Sequence, residues 1–167
     1  MADYDITQLD VLKYGTPSAS DNSLVKIDNN HLILALGDND DDGNIKTFSL
    51  DGSYDITLLK SLEHDTVNGT FNSLVKIDDT HFILAYAGSG DDGFIKTFSI
   101  DGSYNITVID TLEHDTVQGT YNSLVKIDDT HYALAYSGYV DGATNGLVKT
   151  FYVEPPTSDE SNFLLLF

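Results

Sequence analysis

The chain has 167 residues, no cysteine and a net charge of -19, from 27 acidic and 8 basic side chains. All eight basic residues are Lys, so the chain lacks the cationic surface that nucleic acid or an anionic membrane patch would require. Without Cys there is no disulfide, thiolate metal site or cysteine nucleophile, and a 41% hydrophobic share is enough for a packed core.

Met1-Ala-Asp-Tyr-Asp5 carries neither a basic n-region nor an apolar h-region, so no signal peptide is visible. Tyr4-Asp-Ile-Thr7 opens a pattern that returns as Tyr54-Asp-Ile-Thr57 and Tyr104-Asn-Ile-Thr107. Asn22-Ser-Leu-Val-Lys-Ile-Asp28 returns at 72–78 and 122–128, an offset of 50 both times. Residues 51–88 and 101–138 are identical at 28 of 38 positions. Ile45-Lys-Thr-Phe48 returns as Ile95-Lys-Thr-Phe98 and, after a three-residue insertion, as Val148-Lys-Thr-Phe151. A repeat of this strength governs the whole fold.

Within the repeat, Ser73–Ile77 predicts a first strand. His81–Tyr86, apolar on both faces, predicts a second strand between two layers. Phe94–Phe98 predicts a third, and Tyr104–Ile109, β-branched and alternating, a fourth. Asp78-Asp79-Thr80, the glycine-rich 88–93 and Asp101-Gly-Ser103 are turn sequences. A loop over 113–120 leads into the next unit. No window of helical periodicity exceeds about two turns. The acids agree: 23 are Asp, a turn residue, and four are Glu.

Four antiparallel strands repeated every fifty residues form the blade pattern of a β-propeller. Residues 3–153 resemble the propeller-repeat proteins. The Trp-Asp dipeptide and the kelch double glycine are absent, while the Asp-Gly loops are similar to calcium-binding propeller repeats of extracellular proteins. The resemblance implies an all-β propeller of three blades per chain and is silent on activity. The phase adds to it. The chain begins with a fourth-strand sequence, Tyr4–Leu9, and its last unit ends at a third strand, 148–153. The N-terminal strand is therefore expected to close the ring on the last blade, leaving no bare edge. Closure gives either a small three-bladed ring or, if two chains exchange strands, six blades.

Asp38, Asp40 and Asp42, followed by Gly43, have the spacing of a calcium loop, although the bidentate acid of a helical calcium hand is missing. The competing expectation is a solvated acidic turn. His64-Asp65 and His114-Asp115 could pair a base with a carboxylate, but the first unit has Tyr14-Gly15 there, which favours a structural loop contact. His31, His81 and His131 follow the first hairpin turn of each unit and read as turn caps. No catalytic set is expected, so the chain is not read as an enzyme.

Glu154–Ser161 reads as a linker. Beyond it Phe163, Leu164, Leu165, Leu166 and Phe167 are apolar and stand outside the repeat. Left in water they would cost about 1.5–3 kcal/mol each. They are too few to span a membrane, so they are expected to dock, either on their own propeller or in a neighbouring subunit. The sequence thus predicts a self-assembling structural subunit of an extracellular filament, tube or surface layer, joined through residues 162–167. The alternative is a propeller that binds glycans on a cell or virion surface.

Overall fold

A computed structural model describes residues 5–14, 19–38 and 41–155. Among these residues eleven strands run in chain order: β1 Ser20–Lys26, β2 His31–Gly37, β3 Gly43–Leu50, β4 Ile56–Asp65, β5 Thr70–Lys76, β6 His81–Ala87, β7 Gly93–Ile100, β8 Ile106–Asp115, β9 Thr120–Lys126, β10 His131–Val140 and β11 Ala143–Tyr152. A single turn of 3₁₀ helix, Ser89–Asp91, lies before β7. Strands β1–β4 form one antiparallel sheet and β5–β8 a second; the third contains, among the described residues, β9, β10 and β11. The fourth strands run further than their sequence suggests. β4 and β8 reach Asp65 and Asp115, because the alternation continues through the His-Asp pair into the tight turn that follows.

Local chemistry fixes the turns. The Asp28 carboxylate accepts the Asn30 N–H at 2.8 Å and contacts the His31 ring, and Asp78 and Asp128 repeat the arrangement. The histidines expected as turn caps therefore are turn caps. Each first strand carries a bulge, with Asp21, Phe71 and Tyr121 at φ of 51°, 52° and 54°. The bulge is repeated in all three units, so it is part of the design of the strand. The insertion in the third unit lengthens the β10–β11 hairpin to ten residues a side, closed by a two-residue Asp141-Gly142 turn with both φ positive.

The sheets stack side by side. β1 packs along β5 and β5 along β9, while β1 and β9 share no comparable contact. The core lies between sheets. One cluster joins Ile33, Ala35 and Ile45 to Phe82, Leu84, Tyr86 and Phe98; another joins Ile83, Ala85 and Ile95 to Tyr132, Leu134 and Tyr136. The middle sheet is covered on both faces, and β6 is buried at every residue from Phe82 to Ala87.

Ring closure by the N-terminal strand is not seen among the described residues. Tyr4 lies outside the described residues, and 5–14 form no strand. Among the described residues β11 pairs with β10 only and ends its sheet.

The sheets approach most closely where the loop before β5 or β9 meets the start of β3 or β7. A Cβ on Gly119 would sit 2.1 Å from the Gly93 Cα, whereas one on Gly102 would meet nothing within 4 Å. Gly119→Ala is expected to lose about 2 kcal/mol or more of stability, because backbone must move on both sides. Gly102→Ala should be close to neutral. Thermal unfolding of the two variants checks this, and equal melting temperatures would contradict the close approach.

Candidate functional site: the blade interfaces and the open third sheet

The repeated His-Asp pairs lie at the joints between sheets. His64, at the end of β4, packs edge-on against Tyr86 and Phe98 of the next sheet, with ring centroids 4.9 and 5.8 Å apart. His114 does the same against Tyr136 and Phe151, at 5.0 and 5.8 Å. Asp65 accepts the Tyr86 hydroxyl at 2.9 Å and Asp115 the Tyr136 hydroxyl at 2.9 Å. Lys96 donates to the His64 carbonyl and Lys149 to the His114 carbonyl, each ammonium lying over a tyrosine ring. Neither ring nitrogen of His64 or His114 has a partner among the described residues.

These groups titrate as a packed joint would. Burial, aided by the Lys96 charge, pushes His64 down to about 3. Burial and Lys149 push His114 down to about 4. Burial also lowers Lys96 and raises the Tyr86 hydroxyl. Burial alone would raise Asp115, but the N–H groups of Gln118 and Val117 and the Tyr136 hydroxyl outweigh it, and its pKa falls. The base–carboxylate pairing that the sequence left open within each His-Asp dipeptide is not formed, and the favoured structural role takes another shape: the carboxylate serves the neighbouring sheet's Tyr, and the imidazole is a neutral aromatic wedge.

Smaller contacts repeat beside the wedge. The Leu74 N–H donates to Ser23 Oγ and the Leu124 N–H to Ser73 Oγ, both at 2.9 Å. Lys76 reaches the Ile27 carbonyl at 2.6 Å and Lys126 the Ile77 carbonyl at 2.8 Å. Gly69 N–H donates to the Asp41 carbonyl and Gly119 N–H to that of Asp91, both at 2.7 Å. The Tyr104 ring stacks on His31 with centroids 3.9 Å apart.

At the two ends of the array this machinery has no partner sheet among the described residues. Leu74 and Leu124 are 4% and 7% exposed, but Leu24, their counterpart in the first sheet, is 58% exposed. Ile27 is 5% exposed and its counterpart in the third sheet, Ile127, is 59% exposed. The stacking residues are split likewise: Tyr54 of the first sheet and His131 of the third are exposed. β10 reads as apolar on both faces yet is buried only at alternate residues, from Tyr132 to Gly138. Among the described residues its second face has no cover. Beside β11 runs a cleft of about 400 Å³ lined by Ile83, Ile95, Ile109, Leu112 and Phe151.

The N-terminal segment lies at the opposite end. Leu12 and Tyr14 pack on Leu34, Leu36 and Phe48 of the first sheet, and Asp10 accepts the Ile56 N–H at 2.8 Å. Tyr14 meets Phe48 at 5.9 Å and 77°, against 5.8 Å and 78° for His64 on Phe98. The segment thus occupies the place of a fourth strand from a preceding blade. Sequence reading missed this, although Tyr14 in the histidine position was the signal.

Of the expected calcium ligands, Asp38 and Asp42 lie in one turn and Asp40 is outside the described residues. Asp38 accepts the Asn44 amide at 3.0 Å, and its N–H donates to the Asp42 carbonyl at 3.0 Å. The matching turn at Gly88–Asp92 makes the same backbone bonds without an acid at its first position, so this turn geometry does not depend on Asp38. Among the described residues no group of three or more acids or histidines converges as a metal site. The expected docking residues Phe163, Leu164, Leu165, Leu166 and Phe167 lie outside the described residues. Among the described residues, no helix is long and apolar enough to cross a membrane.

No protein-family model and no curated protein matches the chain. Solved structures do. A mutant of the NanB sialidase from Streptococcus pneumoniae, a propeller fold, superposes with a TM-score of 0.57 at 12% identity, over 80% of this chain and 23% of that one. A protein of unknown function from Dyadobacter fermentans gives a TM-score of 0.57 at 16% identity, over 84% of this chain and 42% of that one. The chain spans less than half the length of either. At these identities the likeness shows a propeller-like all-β fold and no more.

The wedges make stability depend on pH. An unfolded histidine takes up its proton near 6.5, but folded His64 resists it down to about 3. Stability is therefore fully present above 6.5 and falls as the pH drops, by at most about 1.4 kcal/mol per unit for each such histidine. His64→Leu should flatten the melting profile between pH 6 and 4. An unchanged slope would mean that His64 is solvated.

Proposed function

We propose that the protein is a structural subunit that assembles with copies of itself into an extracellular filament, tube or surface layer. The observation that carries this reading is β11, a ten-residue strand with one side unpaired among the described residues, beside a cleft that Ile83, Ile95, Ile109, Leu112 and Phe151 line together with Thr97, Asp110 and Glu154. Long bare edges are templates for another chain, and proteins that stay single blunt them. β11 is not blunted by proline, and Val148 at its middle is 73% exposed.

The C-terminal residues Phe163, Leu164, Leu165, Leu166 and Phe167 supply the link onward. They follow a linker of eight residues, 154–161, which reaches about 26–29 Å when extended. An apolar segment of one copy seated on another copy is a heterologous contact, the kind that propagates. Catalysis forms no part of the reading, because the His-Asp pairs are taken up in the joints between sheets. Calcium bound by Asp38, Asp40 and Asp42 would relieve the self-repulsion of a chain carrying -19.

Removal of 162–167 should leave a folded β-rich protein that forms no filaments under the electron microscope, and Leu165→Asp should do the same. If the parent protein stays a single chain at high concentration, the reading fails. If bound calcium stabilises the fold, a chelator should lower the melting temperature. Saturation to 100 times the dissociation constant contributes about 2.7 kcal/mol, and Asp40→Asn with Asp42→Asn should remove the response.

A further inference from the structure

We propose that two copies close head to tail into a single six-bladed ring with two-fold symmetry, the β11 edge of each copy pairing with residues 6–12 of the other. This deepens the self-assembly reading and rests on it.

The two ends of the array are the two halves of a joint that the chain already makes twice. The first sheet presents Leu24 and Tyr54 uncovered, and their counterparts Leu74 and Tyr104 are seated on the sheet before them. The third sheet presents Ile127 and His131, and their counterparts Ile27 and His31 are covered by the sheet after them. An end that fits the other end of an identical chain makes a head-to-tail contact, which either closes or propagates. Within one chain these ends do not meet, since β1 and β9 lack the contact that β1 makes with β5. Propellers carry about four to eight blades. One chain supplies too few, and two supply six.

The N-terminal segment makes closure specific. It already lies where a preceding blade would place its fourth strand, with Tyr14 on Phe48 as His64 is on Phe98. What it lacks is that blade's third strand. β11 of a second copy is a third strand with no fourth among the described residues. Neither edge remains bare once both joints form. The repeat sets the register. Thr47 pairs with Lys60, Phe48 with Leu58 and Ser49 with Thr57. The fifty-residue offset and the insertion convert these into Thr150 with Asp10, Phe151 with Gln8 and Tyr152 with Thr7 of the second copy. The phase of the repeat sets residues 4–9 to close the ring; the structure seats Asp10, Leu12 and Tyr14 of the same segment on the first sheet, and in the proposed ring residues 6–12 receive the other copy's edge.

Because the chain has no cysteine, the register can be tested by cross-linking. Asp10→Cys and Thr150→Cys are made as separate proteins, refolded together and oxidised. Cross-strand pairs lie about 4.5–5.5 Å apart, within disulfide reach. A covalent two-chain species is expected from the mixture and from neither protein alone. Thr7→Cys with Tyr152→Cys repeats the test at a site that leaves the Asp10–Ile56 bond intact. The parent should sediment as two chains. Leu24→Asp, at a residue exposed in the single chain, should weaken that association at least tenfold and leave the melting of the separated chain unchanged. A disulfide within one chain of the doubly substituted protein would establish a three-bladed ring and overturn the proposal. An assembled parent whose mixtures give no cross-link at either site would also overturn it, while leaving self-assembly standing. A cross-linked pair that never grows beyond two chains would confirm the ring and remove the filament instead.

Discussion

The structure depends on one constraint: a four-stranded sheet that is apolar on both faces needs a neighbour on each side. An isolated blade cannot satisfy it, because two of its apolar layers would face water. The burial pattern follows position in the array more than composition. β6 is covered on both faces and has no exposed residue beyond partly buried His81. β10 has a closely similar sequence, stands last, and is buried on alternate residues only. β2 stands first, yet Ile33 to Gly37 are buried, because Leu12 and Tyr14 lie across it. A short N-terminal segment thus substitutes for part of a missing blade.

The joints combine two kinds of chemistry. The imidazole wedge and the phenylalanine beneath it supply apolar contact. The lysine, aspartate and tyrosine around them satisfy one another and the backbone, so that charge enters the joint only with partners. Lys96 illustrates the compromise. It donates to a carbonyl, lies 3.8 Å from Asp65 and covers a tyrosine ring. The first sheet departs from the pattern in a consistent way. Leu36 stands where the others have Tyr, and Lys46 turns back to Ser61 of its own sheet at 2.9 Å. Its joint is built for Tyr14, which brings no carboxylate beside it.

The strands, their order and the fifty-residue unit were legible in the sequence, because alternation and Asp-Gly turns are local signals. The histidine caps were legible for the same reason, each binding an acid three residues away. What escaped was carried between units. His64 and Asp65 look like a local pair and serve residues 21 to 34 positions further on. Fourth-strand residues at the N-terminus implied pairing with the last blade. They did not reveal that Leu12 and Tyr14 would be held by the first blade, since that follows from a face left uncovered in three dimensions. The acidic loop had the spacing of ligands, yet its backbone bonds recur in a turn that has glycine in place of Asp38 and Asp40.

The longer hairpin of the third unit has a consequence for how the chain finds its order. Units two and three are similar enough that each could dock on the wrong neighbour during folding, a hazard general to repeat proteins. The extension between β10 and β11 touches the preceding loop, where Thr144 donates to the Gln118 side chain at 3.1 Å. The equivalent loop before β5 offers Asn68, one methylene shorter and already donating to the Gly88 carbonyl. A third unit docked in place of the second would therefore lose this bond and meet a side chain engaged elsewhere. In landscape terms the loops remove a degeneracy that the strands create: strands specify what a blade is, and loops specify which blade it is.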